Sequence, residues 1–331
     1  MGTVFRRLEK PTLFGVLAGA ALLAWRLRFV CDDAYISWRF ARNLADGYGL
    51  VWNVGERVEG YTNFLWTLIA AIPLALGLRV EPFMLVLGIA CFVASLFFFR
   101  QIVCAFRVGP WIALLATATL ATFASFVWFA TGGLETPLQT LLCLAVACQC
   151  VSDRPLDQRR SAGLGVLVAL VCATRLDSVL LVAPPFLALG VHLYRSQGRP
   201  GLHRLLPAVE VSAALIGAWF AWKVGFYGTI VPNTLRAKVD AEAGLLVQRG
   251  LTYLLAFARS YEFALPLVFL PLGVWRAFVM ASEQAVSSEL VTPSLTATPI
   301  LEIMPDGYAA IALLTAIFLW LVYLIRVGGD F

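Results

Sequence analysis

Asp32 and Asp33 stand side by side where a long apolar run ends, and further charges follow within Asp32–Trp66: Arg39, Arg42, Asp46, Glu56, Arg57 and Glu59. Adjacent carboxylates repel, which raises one pKa unless a cation or ligand intervenes. The pair is therefore read as functional rather than structural. The bland alternative is a helix N-cap, but a cap needs only one Asp. Charges at the mouth of a membrane span are costly to place and mark a candidate site.

Around this pair the sequence supplies partners. Ile36, Phe40 and Leu44 recur at helical spacing, while Tyr35, Arg39, Arg42 and Asp46 share another face. The spacing predicts a helix to about Asp46 that lies on the membrane surface, apolar side down. Trp52-Asn53-Val54-Gly55 reads as a turn. Arg57 suits phosphate oxygens through its planar fork, or equally neutralises Glu56 and Glu59. Glu135 sits in TGGLETP, where two glycines permit close backbone approach and Pro137 suits a first helical turn. Arg175 and Asp177 lie between apolar runs and can pair with each other. Asn233, Arg236 and Lys238 follow a Pro-initiated turn.

These residues are carried by a chain of 331 residues that is 60% hydrophobic and 14% charged. A soluble domain would carry about a quarter charged residues. Apolar runs recur along the length, long enough to span a bilayer core of about 30 Å. The expected fold class is all-α, a polytopic membrane helix bundle with about nine transmembrane helices plus juxtamembrane helices in a first external loop, 31–82. Spans are expected near 11–30, 82–103, 110–130, 137–151, 161–174, 178–194, 207–226, 262–280 and 307–325, with 61–78 as a re-entrant or surface helix. That choice places each short arginine-rich loop on one side, so the N-terminus is expected in the cytoplasm. The acidic pair, Glu135, Arg175 and the 227–240 segment then share the extracytoplasmic face. The segment 241–260 is expected to form an amphipathic surface helix. The seven cysteines lie mostly inside apolar runs and read as buried small hydrophobes. The net charge of +5 reads as membrane topology rather than nucleic-acid binding.

Together, DDAYISWRFARNLADGYGLVWNVGERVEGYTNFLW, GGLETPLQTLL, TRLD, YGTIVPNTLRAK and the terminal VGGDF resemble the polytopic C-type glycosyltransferases. In pattern the chain is similar to the bacterial terminal arabinofuranosyltransferase-like proteins of cell-envelope synthesis. The resemblance implies a C-type glycosyltransferase fold and an inverting transfer of a sugar, such as a pentofuranose, from a polyprenyl-phosphate donor to a glycan or glycolipid hydroxyl. It places the general base in Asp32 and Asp33. Donor-phosphate and substrate contacts are expected from Arg42, Arg57, Glu59, Glu135, Arg175, Asn233 and Lys238. A divalent metal ion, if one is used, would lie at Asp33 and Glu59. The expected location is the bacterial inner membrane, with the site extracytoplasmic and no nucleic-acid partner. Family members continue past VGGDF, so 1–240 is expected to be the transferase module and 241–331 additional spans of a truncated chain. The alternatives are a flippase or transporter of lipid-linked intermediates, which calls for mid-span ionisable residues and repeats, and an inactive truncated scaffold.

Overall fold

The structure, a computed structural model, describes residues 2–106, 108–152, 154–233, 243–259 and 306–326. All regular structure among them is helical. Among the described residues, four helical stretches are long and apolar enough to cross a membrane: Val80–Ala105, Leu176–Gln197, Arg199–Tyr227 and Tyr308–Arg326. The chain is a membrane protein.

The described residues divide into two compact units. The first comprises residues 1–148, 166–179 and 211–240. It opens with α1 (Gly2–Arg26), α2 (Asp32–Ala45), α3 (Phe64–Ala75) and α4 (Val80–Ala105). There follow α5 (Pro110–Ala121), α6 (Ala124–Phe129) and α7 (Thr136–Val151). It also holds most of α8 (Gln158–Thr174), the 3₁₀ turn Leu176–Ser178, and the greater part of α11 (Leu206–Tyr227).

Small residues govern how closely these helices approach. Ala20 and Ala24 of α1 are buried with Phe92 and Leu96 of α4, Ala121 of α5 and Val127 of α6. Small side chains at such seams let apolar helices make dense van der Waals contact, which drives association where water cannot. Gly88 of α4 takes this to its limit: a Cβ there would run into the Ala130 carbonyl oxygen.

Two expectations change in this unit. The run 110–130 is two helices, α5 and α6, separated at Thr122-Phe123. The 12 residues of α5 extend only about 18 Å. The 12-residue α3, within the 61–78 run, is equally short. The second change concerns α2, which is amphipathic as predicted but does not turn its apolar stripe outward. Phe40 is buried with Leu50 and Tyr61, and Leu44, Phe64, Leu68 and Phe226 pack around them. The nearest apolar partner of Phe40 and Leu44 is therefore protein, on α3 and the following loop, while Ile36 at the N-terminal end of the stripe stays exposed.

The second unit comprises residues 149–165, 180–210 and 241–331, as far as they are described. It contains α9 (Val179–Gln197) but for its first residue, α10 (Arg199–His203), α12 (Ala243–Arg259) and α13 (Asp306–Arg326). The helix expected at 241–260 is α12, which is amphipathic and packs on α13. Arg160 closes the 149–160 turn by donating to Gln149 Oε1 at 2.9 Å and to the Pro155 carbonyl at 2.8 Å. The span expected at 262–280 lies outside the described residues.

Candidate functional site

The acidic pair opens α2. Asp32 is its first helical residue, and the N-cap is Cys31, in extended conformation and without a side-chain cap bond. The bland alternative, an Asp32 or Asp33 N-cap, is thus not the one formed. Asp32 Oδ1 accepts from its neighbour's backbone, Asp33 N, at 3.0 Å and from the Cys31 thiol at 3.3 Å. Both carboxylates are exposed, and the N-terminal end of a helix favours their negative charge.

The loop at Thr131–Glu135 holds the head of α2. Cys31 N donates to the Gly132 carbonyl at 2.9 Å, and Phe29 N to Thr131 Oγ1 at 3.4 Å. Trp66 of α3, fully buried, donates from Nε1 to the Gly133 carbonyl at 2.8 Å. Gly133 has φ +80°, and a Cβ on it would come within 2.8 Å of Ala34 Cβ and 3.0 Å of the Trp38 ring. The predicted close approach is here, against the first turn of α2. Gly133→Ala combines a left-handed backbone with a steric clash, and is expected to destabilise the protein by about 1–3 kcal/mol. The check is a lowered thermal midpoint in detergent, whereas an alanine at the equally left-handed but open Gly47 should show the backbone strain alone.

Beneath that turn runs a buried polar relay. Ser37 of α2 bonds to Asn63, whose Nδ2 donates to Ser37 Oγ at 2.9 Å and to Glu135 Oε2 at 2.8 Å. Glu135 Oε1 accepts from Arg175 Nη1 at 3.1 Å. Arg175 also forms a two-pronged bond with Asp177, at 3.1 and 2.8 Å. Asn63 and Glu135 are buried, at 5% and 6% exposure, so each polar group needs a partner and the relay supplies it. The expected Arg175–Asp177 pairing forms, and Glu135 joins it from 40 residues away.

A second tether holds the loop after α2. Glu59 pairs with Lys223 of α11 at 3.0 Å, both side chains nearly fully buried. Lys223 also lies over the Trp219 and Phe220 rings, at 5.6 and 5.7 Å. Burial pushes the Glu59 carboxyl above its ordinary value, and the Lys223 ammonium pulls it back. Beside the pair, Tyr61 and Tyr227 meet through their hydroxyls at 3.1 Å, and Tyr227 donates to the Leu50 carbonyl at 2.7 Å.

The structure thus gathers Asp32, Asp33, Glu135 and Arg175 around one helix head. Arg42 lies further along α2, exposed. Arg57 neutralises neither Glu56 nor Glu59: its guanidinium lies over the Phe226 ring at 5.0 Å, while Glu56 accepts from Asn53 at 3.0 Å. Asn233 contributes its backbone N–H to the Glu59 carbonyl at 3.1 Å. Lys238 and Arg236 lie outside the described residues. Lys223, Asn63 and Ser37 were not singled out in the sequence. Lys223 had a signal, as the lone cation of an apolar run whose one other charge is Glu210.

For a metal ion, Asp32, Asp33 and Cys31 present ligand atoms within 4.8 Å of one another. The carboxylates suit a hard divalent ion. The thiol does not. Although the Asp33 backbone N–H lowers its pKa, burial and the two carboxylates leave it above its ordinary value. Glu59 is occupied by Lys223.

The chain is 30% identical over 269 residues to a terminal beta-(1->2)-arabinofuranosyltransferase of Mycobacterium tuberculosis, covering 76% of this chain and 41% of that one. A protein of the same name from Corynebacterium glutamicum is 27% identical over 332 residues, covering 93% of this chain and 46% of its own length. The chain is similar to terminal arabinofuranosyltransferases. The resemblance drawn from the sequence motifs holds. The chain spans less than half the length of either relative. No protein-family model matches it, and no solved structure does.

Proposed function

We propose that the chain is the site-bearing part of a membrane glycosyltransferase that moves a pentofuranose from a polyprenyl-phosphate donor to a hydroxyl of a cell-envelope glycan or glycolipid. The observation that carries this reading is the exposed Asp32–Asp33 pair, fixed at the head of α2 by the Thr131–Glu135 loop and its buried relay. Similarity to arabinofuranosyltransferases supports the sugar class.

In the proposed reaction the acceptor oxygen attacks the anomeric carbon from the face opposite the phosphate. The C1–O bond to the acceptor forms as the C1–O bond to phosphate breaks, the acceptor proton passes to an Asp32 or Asp33 carboxylate, and polyprenyl phosphate leaves. The outcome is inversion. Arg42, Arg57 and Lys238 are the cations proposed for the leaving phosphate, and Asn233 a polar contact beside them. Glu135 and Arg175 act by holding α2. A divalent ion, if bound, would be held by Asp32 and Asp33 and would offset phosphate charge.

The proposed architecture is a C-type bundle of about nine spans in the bacterial inner membrane, with the N-terminus cytoplasmic and Asp32 outside. Arg154, Arg159, Arg195, Arg199 and Arg204 then fall on the cytoplasmic side. A cysteine at Asp46 should react with a membrane-impermeant maleimide in intact cells, and one at Arg159 only after permeabilisation. The reverse pattern would overturn the orientation.

The activity test incubates membranes containing the chain with a polyprenyl-phosphate pentofuranose and an acceptor glycoside, reading the product's anomeric configuration by NMR. Product of the inverted configuration is expected. Retention, or transfer no greater than in membranes without the chain, would sink the reading.

A further inference from the structure

A cavity of about 350 Å³ opens on α2 beyond the acidic pair, between the helix and residues 52–60, lined by Ile36, Phe40, Trp52, Asn53, Glu56 and Val58. From it we infer that the chain has a built subsite for a sugar unit of the acceptor glycan, with Trp52 as its platform and the Asn53–Glu56 pair as its hydroxyl contacts. This rests on the transferase reading above.

The volume lies at the lower end of small-molecule sites, about 300–1,000 Å³, which suits one or two sugar rings rather than a long chain. The platform is fixed from behind. Arg39 lies over the Trp52 ring at 4.4 Å and donates from Nε to the Trp52 carbonyl at 3.1 Å. Asn43 donates to the same carbonyl at 3.0 Å and to that of Val51 at 2.7 Å. Phe40 abuts the ring with centroids 5.8 Å apart. Trp52 nevertheless keeps 38% of its surface exposed. Sugar rings have faces of slightly positive C–H groups, which complement the negative π-face of an indole.

The polar contacts are preset too. Asn53 Nδ2 donates to Glu56 Oε2 at 3.0 Å, and Asn53 Oδ1 accepts from Arg39 Nη2 at 3.4 Å. A carboxylate has about four acceptor sites, so Glu56 keeps capacity for sugar hydroxyls. A prenyl or acyl chain in the same cavity would strip water from that exposed carboxylate and leave it only the Asn53 amide as partner. The mixture of one aromatic face with a carboxylate–amide pair therefore favours a glycan.

Register ties the cavity to the chemistry. Asp33, Ile36 and Phe40 fall at i, i+3 and i+7 on one face of α2. The cavity thus begins about one helical turn, about 5.4 Å, from the acidic pair, so that one unit of a glycan seated on Trp52 leaves the next within reach of the carboxylates.

The test uses the full chain in membranes, with octyl α-D-arabinofuranoside as the acceptor probe and Trp52→Ala, Trp52→Phe and Glu56→Gln as variants. Trp52→Ala should raise the acceptor KM about tenfold, with a smaller effect on kcat. Trp52→Phe, which keeps a ring, should recover most of the loss, and Glu56→Gln should raise the acceptor KM while leaving the donor KM alone. An acceptor KM in Trp52→Ala equal to wild type would overturn the subsite, as would a change confined to the donor KM, which would assign the cavity to lipid. If the unsubstituted chain transfers nothing, the transferase reading fails on its own, and saturation-transfer NMR with the same glycoside still decides the subsite. Transfer to the glycoside that is lost in Trp52→Ala and restored in Trp52→Phe keeps it; equal signals, or none in the unsubstituted chain, remove it.

Discussion

Asp32→Asn and Asp33→Asn, made separately, are expected to differ sharply: the variant lacking the base should lose about 10²–10⁴-fold in transfer rate, and the other markedly less. The substitution keeps shape and removes the proton acceptor. It also leaves the helix in place: the N-cap residue is Cys31, and the one side-chain bond from the pair to the helix backbone, Asp33 N to Asp32 Oδ1 at 3.0 Å, can be kept by the amide oxygen of an asparagine. What each variant gives up structurally is an acidic side chain near a helix N-terminus, about 0.3–1 kcal/mol. Loss of transfer without loss of thermal stability would therefore report chemistry. Full activity in both variants would remove the pair from the proton-transfer role.

Lys223→Met should produce the largest change in stability, about 3–5 kcal/mol. Glu59 and Lys223 are 4% and 2% exposed, so removing the cation leaves a carboxylate buried without a partner. Glu59 also anchors Asn233 through its backbone carbonyl, and loosening it should open the loop to protease. The double variant Glu59→Leu with Lys223→Met removes both charges and is expected to recover much of the loss, since a buried pair replaced by hydrophobic residues of similar volume is often nearly neutral overall. The measurement is the thermal midpoint in detergent, with limited proteolysis read in parallel. A single variant that melts with the wild type would mean that the pair contributes nothing.

The two experiments probe parts of the site that were legible to different degrees. Asp32 and Asp33 could be found from the sequence because adjacent carboxylates after an apolar run are costly and have no ordinary structural use as a pair. Glu135 and Arg175 were visible as charged residues at span boundaries, but their contact was not, since 40 residues separate them and periodicity says nothing about which boundaries meet. Arg57 was open to two readings, and the structure excludes one by seating it on Phe226. Asn63 and Ser37 carried no signal, because a polar residue beside an apolar helix is common on any surface.

The sequence by itself determined what local chemistry dictates. Apolar runs of bilayer length required helices in a membrane, helical spacing put a helix from the acidic pair to about Asp46, and the glycines of TGGLETP announced a close backbone approach. Tertiary structure alone decided the partners. It turned Phe40 and Leu44 of α2 onto α3 and the following loop, broke the 110–130 run into two short helices, and matched Glu59 with Lys223 from the far end of α11. The reason is physical: helix formation is set by residues a few positions apart, whereas a buried charge takes its partner from wherever packing brings one.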